Sequence, residues 1–151
     1  MKTLNIYFAG PLFSLAERMF NTKLAQELTY LRPDLHCVLP QTRAEAFLPN
    51  LQAVVQDCWE QVAQADALVV CLEGSDADSG TCAELGYARA LGKPIVGYRT
   101  DFRGNEIDGV NAMLRYGCNH YIQVSSTELE RAAQPVHVLA RRIEACLPRP
   151  C

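Results

Sequence analysis

The sequence predicts an α/β protein: a doubly wound, five-stranded parallel sheet, flavodoxin-like or Rossmann-like, with helices on both faces. Three observations carry this. Short apolar runs rich in β-branched and aromatic residues recur at residues 4–9, 36–39, 67–72, 94–98 and 121–124, and longer segments separate them. Regular alternation of this kind calls for parallel strands joined by right-handed crossovers, which lay helices on both sides of the sheet. The length of 151 residues, with 49% hydrophobic and 21% charged residues, suffices for one ordinary core and not for two. A single domain is therefore expected over residues 1–147, with a short Pro-Arg-Pro-Cys tail at 148–151 expected to fray.

The helices follow in order. In residues 15–31 the side chains of Ala16, Phe20, Leu24, Leu28 and Leu31 recur about four apart and line one face, and Pro33 supplies a stop. Further helices are expected over 51–64 and 81–91. A last one follows Ser125, where Ser125-x-x-Glu128 reads as a capping box and Pro135 either kinks or restarts the helix.

Composition narrows the function classes. A net charge of -3 and a pI near 5.6 leave no clustered Lys and Arg for a phosphate backbone or an anionic membrane surface, so nucleic acid and membrane are not expected as partners. The seven cysteines are scattered, odd in number and without a CxxC pair, which indicates neither a disulfide framework nor a zinc site but reduced thiols. The chain opens directly into a strand pattern with no basic leader, and no apolar run approaches the roughly 18 residues of a membrane span, so a cytoplasmic location is expected.

In doubly wound sheets ligands bind beyond the carboxyl ends of the strands, which directs attention to the loops at 10–14, 40–49, 73–80 and 99–109. The richest is the third, where strand 67–72 empties into Glu73-Gly74-Ser75-Asp76-Ala77-Asp78-Ser79-Gly80-Thr81-Cys82-Ala83-Glu84. Glu84 is expected in the first turn of the following helix, where unpaired N–H groups and the helix dipole favour an ionised carboxylate able to act as a nucleophile. The same spacing, Thr81-x-x-Glu84, is also a capping-box pattern in which Glu84 merely closes the helix start. Asp76 and Asp78 read equally as solvated loop charges or as holders of a sugar hydroxyl or metal.

Asp78-x-Gly80-Thr81-x-x-Glu84-x-Gly86-x-Ala88, followed by Gly92-Lys93-Pro94, resembles the signature of the nucleoside 2-deoxyribosyltransferases. The resemblance extends to Tyr7-Phe8-Ala9-Gly10-Pro11-Leu12-Phe13, to Pro40-Gln41, to Arg99-Thr100-Asp101-Phe102-Arg103 and to Val110-Asn111-Ala112-Met113, separate blocks in the right order. It implies that Glu84 attacks C1' of a 2'-deoxynucleoside and is transiently glycosylated, that Asp78 holds a sugar hydroxyl, and that Tyr7 lies beside the nucleophile. It further implies a homo-oligomer in which Asn111 and Met113 reach a neighbouring subunit's site; on sequence alone Asn111 could equally cap the next helix. Some relatives carry an aspartate facing the base eight positions ahead of the residue matching Asp66. Here that position is Cys58, while Asp57 points about 100° away, leaving Gln41 as the stronger candidate for a base contact.

Displacement at C1' passes through an oxocarbenium-like state, so one carboxylate can both stabilise the charge and trap it covalently, with no cofactor and no metal. The substrates implied are deoxynucleosides and free nucleobases. Asp76 or Asp78 is placed to assist proton transfer to the base, and Gly10 of the first loop is a further candidate for substrate binding. Phe13, Phe47 and Met113 are candidates to sandwich a planar base, although each also reads as core. Two other functions fit less well. A deoxynucleoside 5'-monophosphate N-hydrolase would need a phosphate grip, for which Arg99 and Arg103 are the available residues. A non-catalytic nucleotide-sensing module would show a receiver's acidic residues, a GxGxxG loop or a P-loop, and none of these is present.

Overall fold

A computed structural model describes residues 2–101 and 109–150. The chain runs β1 (Leu4–Ala9), α1 (Leu15–Leu31), β2 (Leu35–Val38), α2 (Pro40–Arg43), α3 (Leu51–Gln64), β3 (Ala67–Cys71), α4 (Ser79–Ala90), β4 (Ile95–Arg99), α5 (Ala112–Gly117), β5 (His120–Gln123), α6 (Ser126–Leu129) and α7 (Pro135–Glu144). All five strands are parallel, in the order β2-β1-β3-β4-β5, which is the flavodoxin-like arrangement of the two anticipated.

Alternation along the strands divides the core. Ile6 and Phe8 of β1, with Val69 and Tyr98, face α1 and α7 and pack on Leu24, Leu28, Leu139 and Ile143. Their neighbours Tyr7 and Ala9, with Leu68 and Val70, face the other side and pack on Val62 of α3 and Leu85 and Ala88 of α4. Because β1 hands on to β2 in one direction and β3 to β4 in the other, the chain reverses between β1 and β3, and a crevice opens beyond their carboxyl ends. Gly10 sits there: a Cβ on it would lie 2.9 Å from Cys71 Cβ, so only glycine lets the chain leave β1 this close to β3.

Several boundaries differ from expectation. The helix expected at 81–91 begins at Ser79, with Asp78 as its N-cap, so Glu84 lies in the second turn, beyond the reach of the orphan N–H groups. Pro135 restarts a helix rather than kinking one, giving α6 and α7, and Ser125 Oγ does cap α6 by accepting from Glu128 N. At the far end Arg32, buried, forks onto Asp34 at 2.6 and 2.8 Å and donates to the Pro148 carbonyl at 3.3 Å, while Arg149 pairs with Glu144 at 3.0 Å. No helix among the described residues is long and apolar enough to cross a membrane.

Candidate active site

Tyr7 is fully buried at the carboxyl half of β1, and its hydroxyl donates to Glu84 Oε1 at 2.7 Å. The Cys58 thiol of α3 is near enough to the same hydroxyl to affect its ionisation. Burial is the main influence on Glu84 and raises its carboxyl from near 4.5 to about 7; Tyr7 draws it down and the charge of Asp78 pushes it up. The anticipated cause, a first-turn helix dipole favouring the anion, is thus replaced by desolvation, which disfavours it. Nor does Glu84 close a capping box. Asp78 Oδ2 caps α4 by accepting from Thr81 N at 2.8 Å and Thr81 Oγ1 at 3.0 Å, and Glu84 is left to Tyr7.

At the reversal point lies a cavity of about 590 Å³, floored by Cys71 and walled by Pro11, Phe13, Phe20, Asn21, Gly74 and Thr100. Its charged lining is entirely acidic among the described residues: Glu17, Glu73, Asp76, Asp78 and Asp101. Two of these are structural clamps. Glu17 accepts from the Phe13 and Ser14 backbone at 3.0 and 2.7 Å and fixes the first loop; Glu73 accepts from Thr100 N, Thr100 Oγ1 and Asp101 N at 2.6–2.8 Å and ties the end of β3 to that of β4. Sequence reasoning missed both, although Ser14-x-x-Glu17 is the same capping signal as Ser125-x-x-Glu128 and forms a full box. Asp76 is exposed at a rim shared with a second cavity of about 320 Å³, which Asn111 and Met113 line together with Leu72 and Val110.

The remaining candidates are placed as follows. Phe13 is 78% exposed above the larger cavity and Met113 81% exposed beside the smaller, while Phe47 lines neither, so the three do not form one sandwich. Asn111 caps α5, its Oδ1 accepting from Met113 N at 2.9 Å. Gln41 is buried and bound to α1: its amide donates to the Arg18 carbonyl and Thr22 Oγ1 and accepts from Asn21, so the structure turns it inward rather than toward a base. Arg99 is 2% exposed, donates to the Leu72 and Gly74 carbonyls, lies 3.7 Å from Asp101 and lines the smaller cavity rather than the larger. Phe102, Arg103 and the rest of 102–108 lie outside the described residues, as does Cys151. No group of three His, Cys, Asp or Glu side chains among the described residues could hold a metal ion.

A family profile described as nucleoside 2-deoxyribosyltransferase matches residues 6–134 and spans both the strands and the site. The chain belongs to this family. Among solved structures, a conserved protein from Enterococcus faecalis is similar at 28% identity, over 96% of this chain and 99% of that one, with a TM-score of 0.72. A 2-deoxyribosyltransferase from Bacillus psychrosaccharolyticus is similar at 26% identity over 78% and 84% of the two chains, TM-score 0.62. A 2-deoxyribosyltransferase from Leishmania mexicana shares the fold at 22% identity over 78% and 89%, TM-score 0.62. A search of curated proteins returned no significant match. Family and neighbours together support a nucleoside deoxyribosyltransferase-like enzyme with nucleosides and nucleobases as substrates.

Proposed function

We propose that the protein moves a 2-deoxyribosyl group between nucleobases through a covalent glycosyl-Glu84 intermediate. The observation that carries this is the part-buried Tyr7–Glu84 hydrogen bond, with the charge of Asp78 acting on Glu84. The Tyr7 hydroxyl holds Oε1 and leaves Oε2 to attack C1'. Burial keeps Tyr7 protonated and raises Glu84 to about 7, so the carboxyl is poised to ionise near neutral pH yet is poorly solvated when it does. Attack forms the C1'–O bond as the C1'–N bond breaks and its electron pair departs with the base; a second base reverses the step. Asp78 is assigned a sugar hydroxyl, with Asp76 at the rim, Gly10 permitting close approach and Phe13 covering the mouth. The exposed α5 segment around Asn111 and Met113 supports a homo-oligomer in which these two residues complete a neighbour's site.

The acidic cavity favours unphosphorylated substrates over 5'-monophosphates, since its charged lining among the described residues is five carboxylates and Arg99 lines the smaller cavity instead. Incubation with deoxyinosine plus adenine, and with deoxyuridine plus thymine, tests the function. Exchanged deoxynucleosides establish transfer, free deoxyribose means hydrolysis, and neither product means a binding protein.

A further inference from the structure

Asn21 of α1 borders the larger cavity with its amide locked in one orientation. The lock runs through Gln41. Its Nε2 faces the Arg18 carbonyl at 2.9 Å, a group that can only accept, so its Oε1 is turned to Asn21 and must itself accept. Asn21 Nδ2 therefore donates to Gln41 Oε1 at 3.1 Å and to the Pro11 carbonyl at 3.0 Å, which uses both of its hydrogens. Oδ1 is what Asn21 has left to offer, and it has no hydrogen-bond partner among the described residues. Of the two spaces that Asn21 borders, one is a narrow void of about 10 Å³, room for one water at most, so a ligand that reaches this oxygen does so from the cavity of about 590 Å³. The rest of that cavity is equally short of donors. Thr100 Oγ1 is given to Glu73, and beyond the weak Cys71 thiol the polar side chains left on the described wall only accept: five carboxylates and Asn21 Oδ1.

We propose that Asn21 is a specificity-determining residue whose Oδ1 accepts from the exocyclic amino group of the nucleobase, so that amino bases, adenine and cytosine, are favoured over their oxo counterparts, hypoxanthine and uracil. The proposal rests on the deoxyribosyl-transfer reading. A deoxyribose whose hydroxyl is held at Asp78 lies in the same cavity as Asn21, where Phe13 and Phe20 supply aromatic surface for the plane of a base. The two members of each pair share ring and sugar and differ at one corner, where an amino group beside a bare ring nitrogen becomes a carbonyl beside a ring N–H. An amino group there finds an acceptor in Asn21. A carbonyl there gives up its water and meets oxygens that cannot donate, and a polar group left unpaired in a binding site costs more than a good pair gains. Nor can Asn21 turn its amide over to suit the carbonyl, because that would set Oδ1 against the Pro11 carbonyl and Gln41 Oε1.

The test is kcat/KM for 2'-deoxyadenosine against 2'-deoxyinosine, and for 2'-deoxycytidine against 2'-deoxyuridine, with one common acceptor base. Wild type is compared with Asn21→Leu and with Asn21→Leu/Gln41→Leu, which leaves no unpaired Gln41 oxygen if the single variant folds poorly. The wild type should favour the amino nucleoside of an accepted pair by at least about tenfold, and Asn21→Leu should lower that ratio about tenfold through loss on the amino member. Differences in leaving ability between the bases are common to wild type and variant, so the change in the ratio reads Asn21 itself. No amino preference in the wild type, or an equal loss on both members of a pair, would leave Asn21 a structural tie between α1 and the first loop and overturn the proposal alone. Wild-type protein inert toward all four nucleosides would overturn the transfer reading and the proposal with it.

Discussion

The Tyr7 hydroxyl lies 2.7 Å from Glu84 Oε1, joining a β1 side chain to one 77 residues later in the sequence. This pair sets a pH dependence. On the proposed mechanism Glu84 attacks as the anion, and its carboxyl sits at about 7, so kcat/KM should rise through neutrality and level off above it. Tyr7 draws the carboxyl down, so Tyr7→Phe should move the acidic limb of the profile to higher pH. A limb that stays put in Tyr7→Phe would show that another group controls it.

Glu84 should also oppose stability. Its folded value lies above the unfolded value near 4.5, so the native state binds the extra proton and stability falls as pH rises between the two. Glu84→Gln should therefore abolish exchange while stabilising the fold by about 3 kcal/mol at pH 8 and by little at pH 4. Thermal melts at both pH values check this. Wild type quenched with a deoxynucleoside and no acceptor should carry a deoxyribosyl adduct on Glu84 by mass spectrometry.

Asp78 caps α4 and is proposed to bind sugar, and two substitutions separate the roles. Asp78→Ala should cost about 1 kcal/mol of stability, whereas Asp78→Ser should restore most of it. Activity should remain low in both. Recovery of turnover in the serine variant would reduce Asp78 to a cap.

The acidic cavity predicts that 5'-monophosphates are turned over with kcat/KM at least about tenfold below that of the free deoxynucleosides. The reverse order in steady-state assays would promote the monophosphate hydrolase.

Asn111 already caps α5, so Asn111→Ala has a structural cost of about 1 kcal/mol whatever else it does. Complementation distinguishes more. Mixed oligomers of Glu84→Ala and Asn111→Ala subunits, each parent nearly inactive, should recover up to about a quarter of wild-type sites if Asn111 serves a neighbour. No recovery in a demonstrably mixed oligomer would place the whole site within one chain.

Long elements were legible from spacing: α1 and α3 have the boundaries that periodicity predicts, and β1 matches residue for residue. α2 and α5, of four and six residues, are too short to show a helical period. The start of α4 was misplaced because Asp78-x-x-Thr81 and Thr81-x-x-Glu84 are overlapping patterns of the same kind, and spacing does not say which acceptor wins. Burial decides it: Tyr7, invisible to any local reading of residues 78–84, takes Glu84 away from the helix start. The inward turn of Gln41 and the orientation it imposes on Asn21 escaped for the same reason, since both join residues that only the fold brings together.

The alternation that points Ile6 and Phe8 to one face of the sheet and Tyr7 to the other makes the proposed reaction centre part of the molecule's foundations. A change beneath α3 and α4 that loosens Val62 or Leu85 would be felt at the carboxylate before it unfolded the chain. On the proposed mechanism, an engineer seeking a new base should mutate the rim and leave the Tyr7–Glu84 pair alone.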